Sequence, residues 1–331
     1  MVGVKILGAG KFVPDNIATN DDFAKIVDTN DEWITTRTGI KKRRIANGEP
    51  TWYLGAMAAK AAVKNSGVEL EDIGLIIVTT ITNDYSTPSI SCIIQRELGA
   101  KGSMAIDVNC ACSGFVYGFD MAKRYLQTDD NLKYALVISS EELSKITDYT
   151  DRSTCVLFGD GAAAVVLEKC QDSIYSAYLG ADGTGAKFLL AKSYDSHTPF
   201  SNDEVKIEDD MPKRENHCLY QEGREVYKFA TKILPLACEK SCEMLGITPN
   251  DIDCIIPHQA NKRIIETAAK NLSLPLERFF LNLEEYGNTS SASVPLALCD
   301  AIDTGAIKRG DKVCLVGFGA GLTYGSVIFE Y

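Results

Sequence analysis

Between Val108 and Gly118 the chain reads VNCACSGFVYG. Two cysteines stand two residues apart, and serine, glycine and an apolar run follow. Such a pair could hold a metal, exchange with a disulfide, pack as two small hydrophobes, or supply one nucleophile. A zinc site takes about four ligands, usually as two spaced pairs. The chain has eleven cysteines but three histidines. The remaining cysteines are scattered singly, apart from Cys238 and Cys242 one helical turn apart, and His197 and His217 fall in a polar stretch. No metal site is expected. Cys112 reads better as a nucleophile. It follows a strand pattern (Met104 to Val108) and precedes a helix pattern (Gly114 through Leu126), whose unpaired N–H groups and positive end would favour a thiolate. Cys110 lies nearer the strand. On position alone, a core role stays open for either cysteine.

A nucleophilic cysteine needs a proton acceptor or a charge partner. His258 is placed for that, at the end of the strand pattern CIIPH, and strand ends are where α/β proteins build sites. A polar cap on the next helix is the competing role. Asn288 is a third polar candidate, in YGNTSSASVP at a turn entering a helix, where an asparagine more often caps.

The Gly-rich stretches argue against a dinucleotide site. In ILGAGKFVP the third glycine position is Val13, and Pro14 follows. GFGAGLTYG leads into a strand and not a helix, so no helix N-terminus meets a pyrophosphate. Tight backbone turns are the expected use of these glycines.

The 331 residues are 45% hydrophobic and 24% charged, which suits a globular protein with a sizeable core. No run approaches the ~20 apolar residues that span a bilayer, and the N-terminus lacks the pattern of a signal peptide. A net charge of -11 argues against nucleic acid as a partner. An odd number of cysteines without an export signal points to free thiols and the cytoplasm.

The elements that must position these residues occur twice. LGAMAAKAAVKNSGVELEDIGLIIVTT, from Leu54, is an Ala-rich helix, a turn, an acidic linker and a β-branched strand. VYKFATKILPLACEKSCEMLGITPNDIDCIIPHQ, from Val226, repeats that order. SISCIIQRELG is matched by RIIETAAKNLS, MAIDVNCACSGF by FFLNLEEYGNTSSA as a short strand and turn, YALVISS by VCLVGFG, and GDGAAAVVLEK by GAGLTYGSVIFEY. The chain is thus expected to be a duplicated α/β unit with a mixed sheet in each half. One half spans 1–172 and holds the cysteine; the other spans 173–331 and holds His258 and Asn288. Apolar runs such as LIIVTT and VCLVG imply strands buried on both faces. Pseudo-symmetry would bring the turns at Cys112, His258 and Asn288 together. Residues from Gly183 to Leu219 read as a surface excursion, a candidate cap over a site.

CACSGF, PHQAN and YGNTSSASVP, in this order and spacing, resemble the β-ketoacyl-acyl-carrier-protein synthase III family of the thiolase superfamily. NDEWITTRTGIKKRRIA, TDRSTCVLFGDGAAAVVL and GFGAGLTYG extend the resemblance over nearly the whole chain. It implies a thiolase-like fold, a duplicated five-layer αβαβα sandwich, and a homodimer. It implies condensation of a short acyl-CoA primer with malonyl-acyl-carrier-protein, with acyl-CoA and the carrier protein as substrates and no tightly bound cofactor.

Residue by residue, the resemblance makes Cys112 the nucleophile, with Cys110 a bystander. Backbone N–H groups of Cys112 and Ala320 would form the oxyanion hole, and His258 and Asn288 would act on the malonyl group. Trp33 and Arg152 would sandwich the CoA adenine, Arg37 would lie near its phosphates and Asn261 near the pantetheine. Thr87, in a loop lent by the partner subunit, would bound the acyl tunnel with Leu143 and Phe158. Arg263, with Lys262 and Lys228, would dock the acidic carrier protein. A degradative thiolase would need a second cysteine near the turn Val316-Gly317-Phe318-Gly319, and the nearest, Cys314, lies inside the preceding strand pattern. A relative from secondary metabolism, or an inactive carrier-protein-binding scaffold, are the other readings.

Overall fold

A computed structural model describes residues 2–171, 173–194, 199–200, 210–212 and 216–331. His197 lies outside the described residues. Nine strands form two sheets: β1 Val2–Phe12, β2 Ile73–Thr79, β3 Met104–Val108, β4 Tyr134–Glu142, β5 Asp160–Gln171, β6 Tyr175–Ala181, β7 Cys254–Pro257, β8 Lys312–Gly319 and β9 Thr323–Glu330. The first sheet runs β1-β5-β4-β2-β3 and the second β7-β8-β9-β6. β2 is parallel to β3 and β4, while β5 is antiparallel to β4 and β1. The second sheet repeats this: β7 is parallel to β8, then β9 and β6 alternate. Both sheets are therefore mixed.

The helices that cover them are α1 Asp31–Thr38, α2 Thr51–Ser66, α3 Ile90–Leu98, α4 Gly114–Thr128, α5 Gly223–Leu245, α6 Lys262–Asn271 and α7 Ser293–Asp303. Side-chain alternation along the strands builds the layers. In β2, Ile76 packs outward with Leu54 and Ala58 of α2 and Ile94 of α3. Its neighbour Ile77 packs inward with Phe119 of α4 and Leu298 of α7, against Leu315 and Val327 of the second sheet. Beyond that sheet, Ile255 and Cys314 meet Ala237 of α5 and Ile265 of α6. The order is helix, sheet, helix, sheet, helix. Each fully buried Ile, Leu or Phe contributes about 1.5–3 kcal/mol of transfer free energy.

Two local expectations change. FFLNL does not form a strand: it is reduced to an isolated bridge between Phe279 and Ile255, extended by Phe280 N–H to Ile255 O at 2.9 Å. The partner segment has short β7 alone to pair with, so no ladder propagates. The glycines of ILGAG are not turn residues either. Gly8 and Gly10 lie inside β1, and a β-carbon there would sit 2.4 Å from Ser66 N and 2.2 Å from Ala62 N. They let the Ala-rich helix α2 lie backbone to backbone on the strand.

Candidate active site

The two matched turns that end β3 and follow Gly287 have nearly the same backbone. Ala111–Ser113 and Ser290–Ala292 are each one 3-10 turn, followed directly by α4 and α7. Ala111 has φ +46° and Ser290 φ +50°, both left-handed without being glycine. An asparagine two residues earlier accepts the N–H in each case: Asn109 Oδ1 from Ala111 at 3.3 Å, Asn288 Oδ1 from Ser290 at 2.9 Å. This small side chain closing its own turn is what holds an unfavourable φ in place. The turns meet at the centre of the molecule, where Cys112 Sγ lies 3.5 Å from Ser290 Oγ.

β8 closes the site from the other side. A β-carbon on Gly319 would sit 2.5 Å from Cys112 N, so glycine there lets the strand end press against the Cys112 backbone. Cys112, Ala320, His258 and Asn288 all line one cavity of about 760 Å3.

Each polar group has a defined proton arrangement. His258 continues the β7 ladder through its N–H to Val316 O at 2.8 Å. Its Nδ1 lies 2.7 Å from Ser293 Oγ, and that oxygen also accepts Gln259 N–H at 3.4 Å. Either atom can donate in this bond; with the Ser293 hydroxyl as donor, the ring proton sits on Nε2. Burial pushes the imidazole down to about 3, so it is neutral at neutral pH. The edge of Phe318 meets its ring, with centroids 5.2 Å apart. Asn288 spends its carbonyl oxygen on Ser290, which leaves its NH2 group to donate. Two neutral N–H donors thus share a cavity with one thiol.

The thiol itself departs from expectation. Cys112 precedes α4 on the 3-10 turn, and burial outweighs the helix end, pushing the thiol up to about 12. The Glu141 carboxylate, facing it, adds to the rise, while Ser290 opposes it. A thiol shifted this way favours its protonated form at neutral pH, against the expectation of a thiolate.

Sequence reasoning missed Ser293. Ser293→Ala should lower condensation about 10- to 100-fold while leaving acyl loading unchanged, because it frees the imidazole orientation and not the nucleophile. The imidazole 15N shifts, which report the tautomer, should move with it. Unchanged shifts together with unchanged condensation would dismiss this role.

The expected cofactor-contact residues gather at the cavity mouth. Trp33, Arg37 and Asn261 line it. The Arg152 guanidinium stacks over the Trp33 ring at 5.2 Å and donates to Asp28 O. A base between two faces needs about 7 Å, so adenine binding would swing Arg152 outward. Asn261 caps α6 by accepting Arg263 N–H at 2.9 Å and donates to Arg37 O at 3.1 Å, tying Arg37 to the helix end.

Leu143 and Phe158 line the inner cavity beside Ile81, Leu189 and Leu219. Part of the Gly183–Leu219 excursion therefore belongs to the wall: Leu189–Leu190 pairs with Tyr220–Gln221. Thr87 is exposed and does not line this cavity within one chain. Arg263, Lys262 and Lys228 are exposed on α6 and α5; Lys228 pairs with Glu225 at 2.6 Å and Lys262 with Glu266 at 3.8 Å. Among the described residues, no group of three or more His, Cys, Asp and Glu side chains is arranged to hold a metal.

Comparison with known proteins identifies the family. Residues 106–183 match the family model described as 3-oxoacyl-[acyl-carrier-protein (ACP)] synthase III, and residues 242–331 match the model of its C-terminal part. The beta-ketoacyl-[acyl-carrier-protein] synthase III of Clostridium acetobutylicum is 46% identical over 332 residues, covering 100% of this chain and 99% of that protein. The protein of that name from Caldanaerobacter subterraneus is also 46% identical, covering 100% and 98%. The crystal structure of 3-oxoacyl-[acyl-carrier-protein] synthase III from Aquifex aeolicus superposes with a TM-score of 0.90 at 42% identity, covering 99% of this chain and 100% of that one. With two family models covering both turns and full-length relatives at this identity, the chain belongs to the 3-oxoacyl-[acyl-carrier-protein] synthase III family.

Proposed function

We propose that the chain catalyses the decarboxylating condensation of a short acyl-CoA with malonyl-acyl-carrier-protein, the step that starts fatty acid synthesis. The family assignment makes it an acyltransferase with acyl-CoA and the malonyl carrier protein as substrates. The observation that carries the residue assignment is that His258 and Asn288 line the cavity holding the Cys112 thiol, with His258 Nδ1 engaged by Ser293 and Asn288 Oδ1 by Ser290, which leaves His258 Nε2 and Asn288 Nδ2 for a substrate oxygen.

Cys112 Sγ attacks the primer thioester, and the N–H groups of Cys112 and Ala320 hold the oxyanion until CoA leaves. The malonyl thioester then enters. As its carboxylate departs as CO2, charge moves onto the thioester oxygen, where His258 and Asn288 donate to the enolate. The carbanion attacks the acyl group on Cys112, the carbon–sulfur bond to Cys112 breaks, the sulfur leaves as a thiolate that regains a proton from solvent, and the β-ketoacyl carrier protein is released. A neutral donor suits this step, because an imidazolium would attract the malonyl carboxylate that must leave.

The test is product formation. The protein is mixed with acetyl-, butyryl- or isobutyryl-CoA and malonyl-carrier-protein, and the carrier protein is weighed intact. A β-ketoacyl adduct with released CO2 is expected. An acyl-enzyme that never turns over with malonyl-carrier-protein would reject the reading.

Docking of the acidic carrier protein is assigned to Arg263, assisted by Lys262 and Lys228. The chain carries a net charge of -11, so encounter needs a local positive surface. Among the described residues Arg263 has no ion pair, and it lies in the first turn of the helix leading away from His258. Arg263→Glu should raise KM for malonyl-carrier-protein about tenfold or more, with acyl-CoA loading unchanged. Equal damage to both substrates would indicate misfolding instead.

A homodimer is supported by β3, an edge strand with Met104 43% exposed, whose outer side has no partner strand among the described residues. A cytoplasmic location is supported by the eleven free thiols. Among the described residues no helix is long and apolar enough to cross a membrane.

A further inference from the structure

Thr323 is the first residue of β9, and the mechanism above gives it no part. β9 is an inner strand of the second sheet, so the Thr323 backbone is paired on both sides, with Gly319 of β8 and Ala181 of β6. Thr323 also lines the active-site cavity. Its hydroxyl meets three groups there. Thr323 Oγ1 lies 2.6 Å from Ser113 Oγ, 2.9 Å from Cys110 O and 3.0 Å from Ala320 O. Ser113 Oγ is in turn 2.8 Å from Cys110 O.

These contacts join two turns from opposite halves of the chain. Cys110 O opens the turn Ala111–Ser113 that carries Cys112, and it accepts Ser113 N–H at 3.2 Å. Ala320 O opens the turn Ala320–Leu322 and accepts Thr323 N–H. Two hydroxyls 2.6 Å apart need a proton between them. The other proton of the pair then falls to Cys110 O or to Ala320 O. In every such arrangement the Thr323 hydroxyl is bonded to the Cys112 turn, while the Thr323 N–H holds the Ala320 turn. Glycines set how near the turns come: a β-carbon on Gly317 would sit 3.3 Å from Ser113 Cα, and one on Gly319 2.5 Å from Cys112 N. Close approach leaves the two backbones free to slide past each other. A directional hydrogen bond removes that freedom.

Acyl transfer is sensitive to this placement. The two oxyanion donors come one from each turn, so their separation is set by how the turns sit against each other. Such donors act at about 2.7–3.1 Å from the developing oxyanion, and a misplacement of about 1 Å can cost about 10²-fold in rate.

We propose that Thr323 is the positioning residue of the oxyanion hole, its hydroxyl fixing the Cys112 N–H against the Ala320 N–H. The inference rests on the reading of Cys112 as nucleophile and of these two N–H groups as the oxyanion donors. In loading, the Cys112 sulfur bonds to the acyl carbon and the carbonyl electron pair moves onto the oxygen between the two N–H groups. That pair returns as the carbon–sulfur bond to CoA breaks. The thiol proton ends on the CoA sulfur, so acyl-CoA and the Cys112 thiol give acyl-Cys112 and the CoA thiol. Thr323 neither gains nor loses a proton over the step.

The test compares wild type with Thr323→Val, Thr323→Ala and Thr323→Ser in two measurements. One is single-turnover acetyl transfer to Cys112 over a range of acetyl-CoA concentrations, by quenched intact mass. The other is alkylation of Cys112 by iodoacetamide, by peptide mass, a displacement that forms no oxyanion. Valine keeps the shape and drops the hydroxyl. Alanine drops it without setting a methyl against the two carbonyls, so the result does not hang on one variant folding well. In both, the loading rate at saturating acetyl-CoA should fall about 10- to 100-fold. The half-saturating acetyl-CoA concentration should stay within about threefold of wild type. Alkylation should stay within about twofold, because the sulfur and its Ser290 contact are untouched. Thr323→Ser restores the hydroxyl and should bring loading back to within about threefold of wild type. The proposal is overturned if Thr323→Val and Thr323→Ala load at the wild-type rate, or if loading and alkylation fall together, which would mark a purely structural role. It is also overturned if the half-saturating concentration alone rises, which would make Thr323 a substrate contact. A wild type that never loads acetyl would instead overturn the nucleophile assignment, and the oxyanion hole with it.

Discussion

Cys112→Ser is expected to abolish acyl loading, by about four orders of magnitude or more. Serine differs by one atom and keeps the backbone, so the φ +46° turn at Ala111, the cavity and the oxyanion N–H groups stay in place. What goes is the sulfur. An alcohol at neutral pH is a far poorer nucleophile toward a thioester, and in a buried site its ionisation is further opposed. Quenched intact-mass analysis after mixing with acyl-CoA should show a stable adduct in wild type and none in the variant. Cys110→Ala is the control. The Cys110 contribution to the site is its carbonyl, which accepts from Ser113 Oγ at 2.8 Å and Thr323 Oγ1 at 2.9 Å, and alanine keeps that group. Loading within about twofold of wild type is expected there. Loss of loading at Cys110 with retention at Cys112→Ser would reverse the choice of nucleophile.

His258→Ala and Asn288→Ala should separate the two half-reactions. Each removes one donor from the enolate oxygen, a loss of about 10²–10³ in the condensation rate, by analogy with single oxyanion-hole donors. Acyl loading should persist, because neither side chain is hydrogen-bonded to the Cys112 thiol, whose partner is Ser290 Oγ. The measurement is decarboxylation of malonyl-carrier-protein by pre-acylated enzyme. Condensation by Asn288→Ala at the wild-type rate would remove the enolate role. The same assay carries a pH expectation. His258 is held down to about 3, so it remains neutral from pH 6 to 9 and its donor Nε2–H does not titrate there. Decarboxylation by pre-acylated enzyme should be flat across that range. A fall in rate as pH rises through 6 to 7 would mean that an imidazolium does the work.

Much of this molecule was legible before any coordinates. Strand patterns apolar on both faces, such as LIIVTT, require layers on both sides, because alternate side chains must all find apolar neighbours. The repeat of helix, linker and strand placed Cys112 and Asn288 in matched turns, and three short motifs in register identified the family. What local patterning cannot encode is distance between segments far apart in the chain. The glycines of ILGAG read as turn residues, yet their meaning lies in how closely α2 approaches β1. FFLNL has strand composition but little strand beside it to pair with, and pairing belongs to the neighbour.

The acid–base state of the site was decided by tertiary structure alone. A cysteine before a helix suggests a thiolate when only the helix is in view. Packing of Gly319 on the Cys112 backbone, together with burial and the charge on Glu141, reverses that sign and leaves a thiol. Ser290 and Ser293 stand inside YGNTSSASVP but were given no role, and Glu141 carries no motif, although a glutamate ending an apolar strand run was a visible signal that a charge is buried with partners. The sequence by itself determined the fold family and the duplicated layers and singled out three candidate side chains, since periodicity and residue type are local properties of the chain. Only the tertiary structure decided which of those groups hold protons, because desolvation and hydrogen-bond partners are set by segments more than a hundred residues apart, as Glu141 and Ser291 are.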